Sequence, residues 1–150
     1  MTEPIMLRNL VYSPHLVTYL DILGFRRLIK TKHPNFISRA IRRVTETTRP
    51  DKLTKKENEE NYVKFSDLIL HTVPIHSRAN LMYPTGLVYS EILGLAHAQT
   101  ELIYEGLVLR GAVTLGKIER SYKVIFGPGL INAYDRDSHG SSWTMFCFEQ

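Results

Sequence analysis

The chain has 150 residues, room for one folded domain and not comfortably for two. Its 43% hydrophobic and 23% charged residues exclude wholesale disorder, and its apolar runs stay well below the ~18 residues a membrane-spanning helix needs. The net charge of +4 is unevenly placed: residues 1–60 carry 12 Lys and Arg against 7 Asp and Glu (+5), residues 61–150 carry 7 against 8 (−1).

The N-terminus, MTEPIM, lacks the basic and apolar regions of a secretory signal. Residues 1–14 read as a lead-in. His15 to Ile22 (HLVTYLDI) is rich in Val, Thr, Tyr, Leu and Ile and reads as a buried strand ended by Gly24. Asn35 to Thr47 reads as a helix, with Phe36, Ala40, Ile41 and Val44 as its apolar stripe and Arg39, Arg42 and Arg43 outside it. The basic excess continues from Arg26, Arg27, Lys30 and Lys32 through this helix to Arg49, Lys52, Lys55 and Lys56. A solvated helix face is the plain reading of such a stretch; nucleic acid or a phosphorylated ligand is the alternative. No aromatic residue interleaves with the charges between Ile37 and Lys56, which weighs against a single-strand binder.

Thr45 to Asn61 is polar and reads as a surface loop. Tyr62 to Val73 (YVKFSDLILHTV) reads as a second strand stopped by Pro74. Thr85 to Tyr104 reads as a long helix with Val88, Ile92, Leu95, Gln99 and Leu102 on one face and Gly106 as its stop. Leu107 to Leu115 and Tyr122 to Phe126 read as two further strands. Gly127-Pro128-Gly129 then turns into a short helix near Leu130 to Tyr134. The order of elements predicts an α+β, ferredoxin-like (βαββαβ) sheet with helices packed on one face and the first two long strands adjacent at its centre. Residues 138–150 change character abruptly, and read either as a final edge strand or as a truncated or frame-altered end.

Two acidic residues stand inside apolar strand sequences, Asp21 after LVTYL and Asp67 within VKFSDLIL. A carboxylate there is costly unless it is paired or meets a cation. One reading makes each a strand-end cap of the following turn. The other places both beside Mg²⁺ or Mn²⁺, two ions held by oxygen ligands and able to activate an attacking oxygen and stabilise a leaving phosphate. Gly24 permits a sharp turn after Asp21, and the amides of Leu23, Gly24 and Phe25 then offer an anion site. The histidines, His71 and His76 included, match no helical zinc motif and read as core or surface residues. Cys147 is the only cysteine, so no intrachain disulfide forms, a reducing cytoplasm is the expected compartment, and no oriented base marks it as a nucleophile.

Four segments, TYLDILGF, VKFSDLIL, LVLRGAVTLGKI and IFGPGLINAYDRD, resemble in order the class III nucleotidyl cyclases. The wording FSD, RGA and GPGLINAY is closer to the pyrimidine cyclases of bacterial anti-phage (Pycsar) systems. The resemblance spans residues 15–137. It implies Asp21 and Asp67 as metal ligands with the Ile22 carbonyl, and Leu23, Gly24 and Phe25 at the phosphates. Ser66 and Asn132 join them at the substrate. It implies attack of a ribose 3′ oxygen on the α-phosphorus with loss of pyrophosphate, at active sites formed by a homodimer.

Where the family reads a purine with Lys and Asp this chain has Val63 and Val124, which agrees with UTP or CTP. A gapless match puts Ile131 and Asp135 where the family carries a transition-state Asn and Arg; Asn132 and Arg136 each follow by one residue. Arg110, between small alternating neighbours, reads as a cationic phosphate contact or as a structural ion pair. The family's domain continues for more strands past Tyr134, so the resemblance also implies an incomplete C-terminal end. The alternatives to an active cyclase are an inactive remnant that binds nucleotide or a partner, and a nucleic-acid binder using the basic region.

Overall fold

Apolar, β-branched and aromatic residues alternate through SPHLVTYLDI, and in the computed structural model they form strand β1 (Ser13–Ile22), the middle of the sheet. The structure describes residues 11–47, 62–76, 86–121 and 124–139. Gly24 then takes φ +74°, a left-handed conformation that costs glycine nothing, and heads helix α1 (Phe25–Thr31), a short element that the sequence pattern had not marked. Pro34, with its fixed φ and missing N–H, opens helix α2 (Pro34–Thr47).

The segment read as one strand over Tyr62 to Val73 is a hairpin. Strand β2 (Tyr62–Phe65) and strand β3 (Leu68–Pro74) pair antiparallel, with Phe65 opposite Leu68 and only Ser66 and Asp67 between them. Ser66 has φ +59°. A positive φ at the first residue of a two-residue loop matches the right-handed twist of the strands it joins, so a sequence without glycine or asparagine still turns there. Asp67 therefore lies at the tip of a hairpin, half-buried, and not in a strand interior.

Helix α3 (Gly86–Tyr104) ends in a Schellman motif: the Leu107 amide donates to the Leu102 carbonyl at 2.9 Å and the Gly106 amide to Ile103 at 2.9 Å. Gln99, within the apolar face, has a purpose here. Its Oε1 accepts from the Leu109 amide at 2.8 Å and fixes the entry to strand β4 (Leu109–Ser121). That strand runs six residues past Leu115 and pairs with strand β5 (Val124–Phe126). Helix α4 (Pro128–His139) follows and is longer than the Leu130 to Tyr134 segment that sequence marks.

All pairings are antiparallel, in the order β2-β3-β1-β4-β5. Leaving out β5, this is the ferredoxin-like order, with β1 between β3 and β4. Alternation along the strands sends residues to two faces. Leu16, Leu20, Ile22, Ile69 and Val113 meet Ile37, Ala40 and Val44 of α2 and Leu95, Ala98 and Leu102 of α3 in the main core. Each such buried side chain contributes about 1.5–3 kcal/mol of transfer free energy, so β1, α2 and α3 cannot separate without losing most of the fold. The opposite face carries a smaller core of Val17, Leu70, Ile118 and Ala133. Among the described helices α4 lies on that side, so they do not all share one face. It seats closely because Gly129 meets Gly116: a Cβ on Gly116 would stand 2.4 Å from the Gly129 Cα.

The polar loop expected up to Asn61 falls largely, from residue 48, outside the described residues. Residues 140–150 with Cys147, and the basic positions Arg49, Lys52, Lys55 and Lys56, lie outside them too.

Candidate active site

Register brings the two aspartates together. Leu20 pairs with Ile69 across β1 and β3, so Asp21, one residue on, lies beside the hairpin tip that carries Asp67, close enough for the Asp67 carboxyl to act on it. On the other side Asp21 pairs with Arg110 of β4. Arg110 donates from Nε to Asp21 Oδ2 at 2.8 Å, and its Nη2 stands 2.8 Å from the same oxygen as an ion pair. The Asp21 side chain is 17% exposed and that of Arg110 47%. Both lie on the face opposite α2 and α3, since Ile22 and Leu20 next to Asp21 point into the main core.

Burial holds the Asp21 carboxyl above the usual carboxylate range. The neighbouring Asp67 carboxyl raises it further; Arg110 pulls in the opposite direction. The sequence-based choice for Arg110 between a phosphate contact and an ion pair is thus answered in part: here it is an ion pair with Asp21.

The remaining expected residues are placed as follows. The Ile22 side chain is buried, and its carbonyl stands at the end of β1, directly after Asp21. The Leu23 amide donates to the Val108 carbonyl at 2.8 Å, so of the three expected phosphate amides it is already used. The amides of Gly24 and Phe25 are at the start of α1, where no intrahelical carbonyl reaches them. Ser66 is exposed beside Asp67 at the hairpin tip. Asn132 is exposed on α4, one residue before buried Ala133. That helix runs along β4 toward the aspartates: Gly129 touches Gly116, and the Tyr134 ring meets Tyr19 edge-on at 5.9 Å, where Tyr19 pairs with Ala112. Asn132 and Arg136 lie one helical turn apart on it. The structure therefore pairs Asp21 with Arg110 directly and sets Asp67 beside Asp21, while no hydrogen bond or ion pair links Asn132 to them.

Among the described residues no group of three or more His, Cys, Asp and Glu converges. Two carboxylates and a strand-end carbonyl are nevertheless a donor set that suits Mg²⁺ or Mn²⁺, which commonly take one or two protein carboxylates and complete their shell with water and substrate phosphates. The residues present fit such cations.

Val63 and Phe65 of β2 alternate with Tyr62 and Lys64, whose side chains reach His71 and Thr45. They therefore face the side of the aspartates, with Phe65 76% exposed. Ile131 and Tyr134 of α4 add exposed apolar surface. The basic residues of α1 and α2 cover the other side. Arg43 pairs with Glu101 and Glu105 and Arg42 with Glu46, and a groove of about 550 Å³ beside them is lined by Lys32, Arg42, Lys64 and isoleucines, away from the carboxylates.

One buried polar cluster escaped the sequence reading. Glu91 of α3, 3% exposed, accepts from Thr18 Oγ1 at 2.6 Å and lies 3.0 Å from Nδ1 of His71, itself 1% exposed. Tyr62 stacks on the His71 ring at 4.1 Å. The available signal was a glutamate four residues before Leu95 in an apolar helix face, together with a histidine in an apolar strand.

No known protein family matches the sequence, and no curated protein matches it at a significant level. Solved structures do. The adenylyl cyclase CyaB from P. aeruginosa superposes with a TM-score of 0.64 over 94% of this chain and 79% of its own, at 14% identity. The fold is that of nucleotide cyclases. A bacterial light-regulated adenylyl cyclase matches with a TM-score of 0.63 at 10% identity, over 97% of this chain and 45% of its own. The guanylyl cyclase Cya2 matches with 0.54 at 12% identity, over 86% of this chain and 71% of its own.

Proposed function

We propose that this chain is a divalent-cation-dependent nucleotide cyclase that converts a pyrimidine nucleoside triphosphate, UTP or CTP, into a 3′,5′-cyclic nucleotide and pyrophosphate. The observation that carries the reading is the pairing of Asp21 with Arg110, beside Asp67, on a cyclase fold. Two acidic groups are brought together at the end of the central strand, on the sheet face that carries α4.

Asp21 and Asp67 hold Mg²⁺ or Mn²⁺, with the Ile22 carbonyl. Bound there, the cations neutralise triphosphate charge and make the ribose 3′ oxygen a better nucleophile. The amides of Gly24 and Phe25 orient the phosphates. Arg110 reaches the triphosphate, and Asn132 and Ser66 complete the substrate contacts. The reaction is intramolecular: the 3′ oxygen bonds to the α-phosphorus as the bond to the bridging oxygen breaks. Positioning and charge stabilisation supply most of its acceleration.

Val63 and Val124 offer no hydrogen bond to a purine edge, which supports a pyrimidine. The apolar surface of Val63, Phe65, Ile131 and Tyr134 supports a homodimer that closes over the site. The GPGLINAY and FSD wording supports a place in anti-phage signalling.

The test is purified protein with Mn²⁺ and each of the four nucleoside triphosphates, read by chromatography. Cyclic UMP or cyclic CMP is expected, and Asp21→Ala or Asp67→Ala abolishes it. Folded, dimeric protein that yields no cyclic product from any of the four removes the proposal.

A further inference from the structure

We propose that Arg110 is a latch on the site: its guanidinium holds Asp21 in the place of a divalent cation, and releases it when cation and triphosphate arrive together. The inference rests on the cyclase reading and concerns how that site loads.

Two guanidinium nitrogens converge on one oxygen: Nε donates to Asp21 Oδ2 at 2.8 Å and Nη2 stands 2.8 Å from it. The guanidinium thus serves Asp21 as a counter-charge, and a cation at the same carboxylate meets a guanidinium beside it. The two compete for one oxygen and repel each other. Cation binding therefore has to displace a contact that the free protein already makes.

The geometry provides an exit. Arg110 is 47% exposed against 17% for Asp21, so its head is solvated while its partner is enclosed. Its same-face neighbours on β4, Ala112 and Thr114, are small. A triphosphate offers the released guanidinium bidentate acceptors of higher charge than a single carboxylate. The latch opposes cation binding to the free protein and favours it once a triphosphate is present. By linkage the cation favours the triphosphate to the same extent.

The experiment measures Mn²⁺ affinity by electron paramagnetic resonance for the wild type, Arg110→Ala and Arg110→Lys, with and without inorganic tripolyphosphate, after circular dichroism has shown each protein folded. Without tripolyphosphate, Arg110→Ala is expected to bind Mn²⁺ about tenfold more tightly than the wild type, a usual size for coupling between sites. Arg110→Lys, which keeps the charge but loses the fork, falls between them. Tripolyphosphate strengthens Mn²⁺ binding more in the wild type than in Arg110→Ala. Equal affinities for the wild type and Arg110→Lys would reduce the effect to net charge and overturn the latch, as would unchanged or weaker binding by Arg110→Ala. Should Arg110→Ala not fold, the lysine variant alone decides. Absence of Mn²⁺ binding in every protein would overturn the cyclase reading and the latch with it, an outcome distinct from equal binding in all.

Discussion

Leu20 stands opposite Ile69 in the β1–β3 ladder, and this single register determines that Asp21 meets Asp67. A shift of one residue would send Asp21 into the main core and Leu20 to the open face, because strand side chains alternate with a period of two. One feature beside the ladder opposes such a shift, the buried carboxylate of Glu91, and Gly111 sets the approach of β4 on the other side of β1.

Glu91 joins Thr18 and His71, which are themselves partners in the β1–β3 register. Glu91→Ala leaves a buried imidazole and a buried hydroxyl without their acceptor. Breaking a buried pair in this way costs about 3–5 kcal/mol. Urea unfolding should show that loss, and the double variant Glu91→Met, His71→Leu should recover part of it, since only the Thr18 hydroxyl is then left without its acceptor. A loss below about 1 kcal/mol for Glu91→Ala, the range of exposed pairs, would show that the cluster does not hold the strands.

Gly111 is required by a close approach. A Cβ there would lie 2.0 Å from the Tyr19 carbonyl oxygen, on β1 between Thr18 and Leu20. Gly111→Ala has to push β4 away from β1 next to the Arg110–Asp21 contact. A cost of about 1–3 kcal/mol is expected, as for other overpacked sites. Amide hydrogen exchange should localise the damage to β1 and β4. Wild-type exchange in both strands would contradict the close contact.

Much of this arrangement was legible in the sequence, for local reasons. HLVTYLDI is apolar and β-branched enough to read as the central strand, and the two long helices announced themselves by apolar spacing and by Gly106. The β2–β3 turn was not legible as a hairpin because Ser66-Asp67 lacks the glycine or asparagine that marks a two-residue loop; the backbone takes a positive φ at a serine instead. Helix α1 was missed because seven residues with one buried side chain, Phe25, carry no periodic signal. At the site, Asp21 and Asp67 were nameable from their unusual apolar surroundings, although the surroundings of Asp67 proved to be a turn. The pairing of Arg110 with Asp21, and of Glu91 with His71, depends on register and helix placement, which residue-by-residue periodicity does not contain.

The Asp21 carboxyl is held above its ordinary value of 3.8, first by burial and then by Asp67. The folded protein therefore binds a proton more readily than the unfolded chain. The stability that this proton contributes is complete below the ordinary value and is lost as pH rises through the raised one. In buffer with EDTA, the wild type should lose stability relative to Asp21→Asn as pH climbs from 3.8 upward. A parallel pair of stability curves over that range would show that Asp21 titrates like an exposed carboxylate.

Ser66 carries strain next to the candidate site. A positive φ at a residue with a Cβ costs on the order of 1 kcal/mol or more, and glycine relieves it. Against this, glycine has more freedom to lose on folding, so the net gain of Ser66→Gly should be modest, up to about 1 kcal/mol. If the hydroxyl also contacts substrate, the variant separates the two properties: its melting temperature rises while cyclic-nucleotide formation falls. Raised stability with full turnover would leave Ser66 a turn residue only. A lowered melting temperature would mean that the serine side chain holds the hairpin tip, and that the strained backbone at residue 66 is compensated by contacts of its own.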